Sequence, residues 1–306
     1  MQPQISAIPD SILVLGAGEL GMAVLRELAA RPMLRVSVML RPSAIDAKSD
    51  SKRQLLEELN ALGIHVVSAD VTNDSEEDLA ALFSGFHTVV SCLGFAAGAG
   101  IQLKLTCAAL QSDLRRYLPW QFGVDYDVIG RGSPQNLFDE QLDVRDLLRG
   151  QTRVQWLIIS TGMFTSFLFE PAFGVVDLGQ NIVRALGSWD TAVTVTTPED
   201  IGHLVACILL EPELVNQVVF TAGDTITYRQ LADAVDDLLH RKVERVELTV
   251  PALKADLAAA PDDQMQKYRT VFAEGKGVAW PKTESYNANR QITTVTVAEW
   301  IKRHLR

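Results

Sequence analysis

The run Ile12-Leu13-Val14-Leu15 leads directly into Gly16-Ala17-Gly18-Glu19-Leu20-Gly21, and a helix-like stretch from Met22 to Ala30 follows, stopping at Arg31-Pro32. A G-x-G-x-x-G on its own says little. Set between an apolar strand and a helix, it is the turn of a β-α unit that binds a dinucleotide. The first glycine permits the tight turn, the second lets the backbone approach a pyrophosphate, and the third lets helix and strand pack closely. The helix N-terminus adds unpaired N–H groups and the positive end of a dipole. Gly16, Gly18, Glu19, Leu20 and Gly21 are therefore expected at the diphosphate of a bound nucleotide.

The rest of the first half repeats the pattern. Short β-rich runs at Ile12–Leu15, Arg35–Leu40, His65–Ser68, Thr88–Ser91, Arg116–Pro119 and Val154–Ser160 alternate with helical segments. Such alternation predicts a doubly wound parallel α/β sheet covered on both faces. Ser75 with Asp78, and Thr227 with Gln230, are capping-box pairs that open helices. Ser133-Pro134 predicts a further helix with proline in its first turn. After Ser160 the pattern changes: residues 161–190 are aromatic and glycine-rich, and the stretch with Pro251, Pro261 and Pro281 reads as a small helical cap. The expected division is a nucleotide-binding domain over 1–160, to which 191–222 return, and a smaller α+β substrate domain from 161–190 and 223–306.

The second strand should end on the residue that reads the ribose, about 20 residues past the glycines. Sites selective for NAD place an acid there. This chain has Arg41-Pro42-Ser43, with Lys48, Lys52 and Arg53 beyond. A guanidinium and a hydroxyl suit a 2′-phosphate, so NADP(H) is the expected cofactor, held by Arg41 and Ser43. Asp70-Val71 follows the third strand, where it either meets adenine or serves as turn chemistry at a helix entry. Ser91 and Leu93 end the fourth strand, on the edge where such sheets bind ligands.

Proton transfer is harder to place. Short-chain dehydrogenases use Tyr-x-x-x-Lys, and the residues four past Tyr117, Tyr126, Tyr228, Tyr268 and Tyr286 are Gln121, Gly130, Ala232, Phe272 and Arg290. The usual form of that chemistry is excluded.

The Gly16–Gly21 motif, Leu118-Pro119-Trp120-Gln121-Phe122-Gly123, Phe138 within an amphipathic helix and Pro198-Glu199-Asp200-Ile201-Gly202, in that order, resemble the NmrA-like and isoflavone-reductase-like group, fungal members above all. The resemblance spans nearly the whole chain. It implies an NADP-binding Rossmann domain and a small C-terminal domain, with substrate between them. Gln121 and Phe122 are expected beside the cofactor, and Thr161, just past the sixth strand, would contact cofactor or substrate from the same edge. The plant reductases of the group act on phenylpropanoid-type aromatics. Two departures matter. Their Pro-Ser-Glu-Phe-Gly is here Pro119-Trp120-Gln121-Phe122-Gly123, and their catalytic lysine, three residues after a phenylalanine, is here Gln141. No lysine occurs between Lys104 and Lys242. An amide can hold a carbonyl through its N–H but does not exchange a proton near neutral pH. Gln141 is then a positioning group, and the proton comes from water or another side chain. Asp125-Tyr126-Asp127 is the nearest cluster. It is either a carboxylate pair that raises one acid's pKa beside a phenol, or a polar surface loop.

Met163, Phe164, Phe167, Phe169 and Phe173 follow the sixth strand. They form a greasy wall for an aromatic or polycyclic substrate, or else satellite core or a subunit contact; their place after a strand's C-terminal end favours the pocket. Trp120 is expected beneath the nicotinamide, close to the substrate.

Net charge of −10 argues against nucleic acid, no apolar run is long enough to cross a bilayer, and the three cysteines, spread through apolar contexts, read as reduced thiols of a cytosolic protein. The histidines lack metal-ligand spacing, and no hydrolase elbow or P-loop occurs. Three function classes remain: a reductase of an aromatic or polycyclic small molecule in secondary metabolism, a non-redox isomerase or rearrangement catalyst that keeps NADP as a structural element, and a redox-sensing regulator without catalysis. A monomer or homodimer fits each.

Overall fold

The computed structural model describes residues 10–46 and 49–305. Six strands lead the chain: β1 (Ser11–Leu15), β2 (Arg35–Leu40), β3 (His65–Ser68), β4 (Thr88–Ser91), β5 (Arg116–Leu118) and β6 (Gln155–Ser160). With Gln217–Phe220 they form one seven-stranded sheet, in the order Gln217–Phe220, β6, β5, β4, β1, β2, β3. The pairings among β1 to β6 are parallel, Ile12 facing Val36 on one side and Thr88 on the other. This is the doubly wound order expected from the alternating runs. Parallel strands covered on both faces need continuous apolar sequence, and Ile12 to Leu15 are all fully buried. Edge strand β3 is only half covered.

The chain forms two compact units, one of Met1–Gln121, Asp143–Ile159 and Ile201–Val218, the other of Phe122–Leu142, Ser160–Asp200 and Val219–Arg306. In the first unit, helix α1 (Glu19–Ala29) meets helix Pro198–Leu209 at Gly202, where a Cβ would lie 2.5 Å from the Ala23 carbonyl oxygen. Only glycine fits that approach. The buried Arg116 guanidinium donates to the carbonyl of Leu209 (2.9 Å), the last residue of helix Pro198–Leu209, where a cation meets an otherwise unpaired carbonyl, and to that of Leu214 (2.6 Å) in the loop beyond.

The second unit carries two three-stranded sheets. Ala192–Thr196 lies between Met163–Phe164 and Asp224–Thr227, and Ile182–Leu186 lies between Val176–Asp177 and Glu244–Leu248. The stretch after residue 240 is therefore not purely helical: Glu244–Leu248 pairs in parallel with Ile182–Leu186 before helices Val250–Ala259 and Gln264–Glu274 follow. Ser133-Pro134 does not open its helix either. The helix begins at Leu137, whose N–H donates to Gln135 Oε1, so a glutamine two residues upstream supplies the acceptor in place of a proline-led first turn. Both capping boxes form, Ser75 with Asp78 and Thr227 with Gln230. No described helix is long and apolar enough to cross a membrane.

Candidate active site

The turn after β1 sits at the carboxyl edge of the sheet, where β1 parts from β2 and β4. The Gly16 N–H donates to the Met39 carbonyl (3.2 Å) and the Cys92 N–H to that of Leu15 (3.0 Å). Such a point, where strand order reverses, is where doubly wound folds hold ligands. Gly16 has φ +90°, a conformation that side chains resist. A Cβ on Gly21 would lie 2.3 Å from the Gly16 carbonyl oxygen, so α1 packs on the turn only because residue 21 is bare. Gly18 differs: nothing stands within 4 Å of where its Cβ would be. It is the N-cap of α1 and offers no side-chain acceptor, so the first amides of the helix keep their hydrogen-bonding capacity for a ligand.

A cavity of about 350 Å³ opens over this turn. Gly16, Gly18, Arg41, Val71 and Leu93 are on its wall, as the sequence predicts. So are Lys52 and Leu55, three residues apart on one face of helix Asp50–Ala61. Lys52 was discernible as part of a basic loop. Leu55, Ala44 and Ala97 carry no signal of their own and were missed. Cys92 also lines the cavity; burial pushes its thiol up to about 12, which makes it a neutral wall.

Several nominated residues do not line the cavity themselves. Glu19, Leu20, Gly21, Ser43, Asp70 and Ser91 are not on the cavity wall. Ser43 is exposed on the helical turn Pro42–Ile45. The Asp70 carboxylate is spent on its own turn, accepting from the Thr72 N–H (2.9 Å) and Asn73 Nδ2 (2.9 Å). The Thr72 bond foremost, then Asn73 and the nearby Arg41 charge, hold it below the usual carboxylate range despite some desolvation. Ser91 is fully buried. Trp120 packs under the fourth-strand turn: a Cβ on Gly94 would sit 3.0 Å from its indole, and its ring meets Phe95 edge-on at 4.7 Å. Gln121 is fully buried, its Oε1 accepting from Arg145 Nε at 2.7 Å. Lys48 lies outside the described residues.

The other nominated residues fall in the second unit. Phe122 and Thr161 are buried; the N–H groups of Thr161 and Gly162 both donate to the Gly123 carbonyl, at 3.1 and 2.9 Å. Gln141 is fully buried on helix Leu137–Arg149. The Asp125 carboxylate caps the Tyr126–Ile129 turn by accepting from the Val128 N–H. Tyr126 is core: its ring meets Phe138 edge-on at 5.0 Å, and a Cβ on Gly123 would touch its hydroxyl at 2.7 Å. The segment is therefore a short helical turn with Tyr126 in the core and Asp127 on its exposed side. Met163 and Phe164 form a strand against Val195 and Thr196. Phe167 packs on Phe173 at 4.6 Å and near Tyr268 at 6.2 Å, and Phe169 stacks on Trp300 at 4.8 Å. Much of the aromatic run is thus spent on core.

A model of the NmrA-like family matches residues 9–299. The chain belongs to the NmrA-like family. An NmrA-like family domain-containing oxidoreductase of the fungus Gibberella moniliformis is 44% identical over 298 residues, 96% of this chain and 97% of that protein. Among solved structures, an isoflavone reductase superposes with TM-score 0.81 at 16% identity, over 96% of this chain and 99% of that one. A leucoanthocyanidin reductase–NADPH binary complex from Vitis vinifera gives 0.79 at 19%, over 96% and 98%. At those identities what is shared with the NmrA-like chain is the fold.

Proposed function

We propose that this protein is an NADP(H)-dependent oxidoreductase that reduces an aromatic or polycyclic small molecule of secondary metabolism in the cytosol. One observation carries the reading: Gly18, the N-cap of α1 with no side-chain cap bond, lines the same cavity as two cations, Arg41 and Lys52. Backbone amides suit a diphosphate and the pair of cations suits a further phosphate. The space that a Gly18 side chain would fill is open, so the residues present fit the cofactor. Both the 44% identical relative, named an oxidoreductase, and the NADPH-bound structural neighbour support the assignment.

When bound, the nicotinamide supplies or accepts a hydride. The chain's own part is to hold and orient. The α1 amides and Gly18 receive the diphosphate, Arg41 and Lys52 the 2′-phosphate, and Leu93 and Gly94 form the wall beyond, backed by Trp120. Gln141 would hold the substrate's polar oxygen through its amide N–H, in the family's lysine position. An amide of this kind orients but does not protonate, and the Asp125 carboxylate is engaged as a cap. The proton then comes from water.

The same commitment of Asp125 and Tyr126, with lysine absent, favours a second reading in which the nucleotide is retained while the substrate is rearranged. One experiment separates them. The protein is incubated with NADPH and a panel of aromatic ketones, enones and quinones, following nicotinamide absorbance and product mass. A two-hydrogen gain with loss of NADPH supports reduction. An isomeric product with NADPH unchanged supports rearrangement, and NADPH binding without turnover leaves a regulator.

A further inference from the structure

A cavity of about 550 Å³ lies in the second unit, and of the residues nominated for cofactor, substrate or proton transfer Phe169 alone lines it. Its wall is largely apolar, with Phe169, Pro171, Val176, Leu178 and Leu248. Two guanidiniums interrupt it, Arg184 and Arg269. Main-chain carbonyls hold both: Arg184 Nη1 donates to Gly174 (3.1 Å), and Arg269 donates through Nε to Phe173 (2.8 Å) and through Nη2 to Ala172 (2.7 Å). Gly174 makes the arrangement possible, because it takes φ +70° and a Cβ there would press on Arg269 Nη2 at 3.2 Å.

Carbonyls orient a guanidinium without cancelling its charge. Neither arginine forms an ion pair with a described residue, although the chain carries ten more acidic than basic side chains. Two like charges on one greasy wall repel each other, and partial desolvation raises that cost. Such a pair is compensated by an anion that arrives with its own apolar body. Asp177, also on the wall, accepts the Gln180 N–H (2.9 Å) and would repel a second negative group.

We infer that the cavity is a binding site for an amphipathic monocarboxylate: one carboxylate received by Arg184 and Arg269, and a ring system or acyl chain lying on Phe169, Val176, Leu178 and Leu248. Its volume falls within the range of sites for small organic ligands. Guanidinium forks match carboxylate geometry, so the head group is selected by shape as well as charge. The site takes its ligand independently of the nicotinamide cavity and of the reading given above.

Calorimetry on the full chain with decanoate as probe tests this, with decan-1-ol as the uncharged partner and an NADP+ titration of the same sample reporting the other cavity. Decanoate is expected to bind one to one, at least about tenfold more tightly than the alcohol, and to weaken as salt is raised. Arg184→Met should lower decanoate affinity at least about tenfold, the loss expected for a hydrogen bond to a charged group. Leu178→Trp, which fills the space, should abolish uptake while leaving NADP+ affinity unchanged. Absence of decanoate binding at millimolar concentration overturns the proposal. So does equal affinity for the alcohol, or unchanged decanoate affinity in folded Arg184→Met or Leu178→Trp protein.

Discussion

Gln121 and Arg145 share a hydrogen bond of 2.7 Å in a place where neither side chain reaches solvent. One stands just past β5 and the other on helix Leu137–Arg149, so the bond ties the end of a central strand to a covering helix. Gln121→Leu takes an acceptor from a buried cation and should cost about 2–3 kcal/mol in urea unfolding. Gln121→Glu, which restores the acid expected of the plant reductases at this position, keeps the acceptor and should cost less. Equal losses in the two variants would show that the contact contributes through packing alone.

The glycines of the first turn should separate into two kinds. Gly21→Ala forces a methyl group against the Gly16 carbonyl and should lower stability by about 1–3 kcal/mol while weakening nucleotide uptake. At Gly18 the methyl meets no protein atom, so Gly18→Ala should melt within a degree or two of the parent. It would instead occupy ligand space and cut NADP+ affinity at least about tenfold, the order of one lost charge-assisted contact. Thermal melts and calorimetry on both proteins read the difference.

Arg41→Ala and Lys52→Ala test the assignment of the phosphate. Each removes a charge from the cavity wall, and each should weaken NADP+ by about 10–100-fold while changing NAD+ little. Equal losses for the two nucleotides would remove the 2′-phosphate from the account.

Replacing Gln141 by lysine addresses the missing proton donor. The position is fully buried, and burial drives an ammonium toward easier deprotonation, which is the direction an acid catalyst at neutral pH requires. Turnover of a carbonyl substrate with NADPH should rise in Gln141→Lys. If a folded, NADP-binding variant gains nothing, the amine was not the sole deficit.

Asp236 should shape the acid limb of stability. Desolvation pushes its carboxyl up, but the Val243 N–H (2.7 Å), Lys242 (2.9 Å) and Arg245 (2.8 Å) outweigh it and hold the carboxyl below the usual range. A folded-state value beneath the unfolded one means stability that is fully present above about pH 4 and is lost as pH falls through the folded value. Urea midpoints measured downward from pH 6 should fall less steeply in Asp236→Asn than in the parent.

Local chemistry was readable wherever a residue acts on its near neighbours. The β1–β6 strands follow the apolar runs to within a residue at each end, and Ser75–Asp78 and Thr227–Gln230 close as capping boxes because both partners lie within one turn. Glu244–Leu248 escaped notice, since a short strand with charged positions becomes a strand only by pairing with Ile182–Leu186, some sixty residues earlier. Asp70 was ambiguous for a related reason: an acid after a strand can face a ligand or its own turn, and the competition is settled by two N–H groups.

By itself the sequence determined the parallel sheet, the nucleotide turn and the family, because strand length, glycine spacing and helix caps act over a few residues. Only the tertiary structure decided which side chains face open space. It set Lys52 and Leu55 on the cavity wall, spent Asp125, Tyr126 and Phe173 on caps and core, and left Arg184 and Arg269 charged beside a second cavity. Exposure to a cavity depends on what distant segments cover, and burial of that kind has no period along the chain.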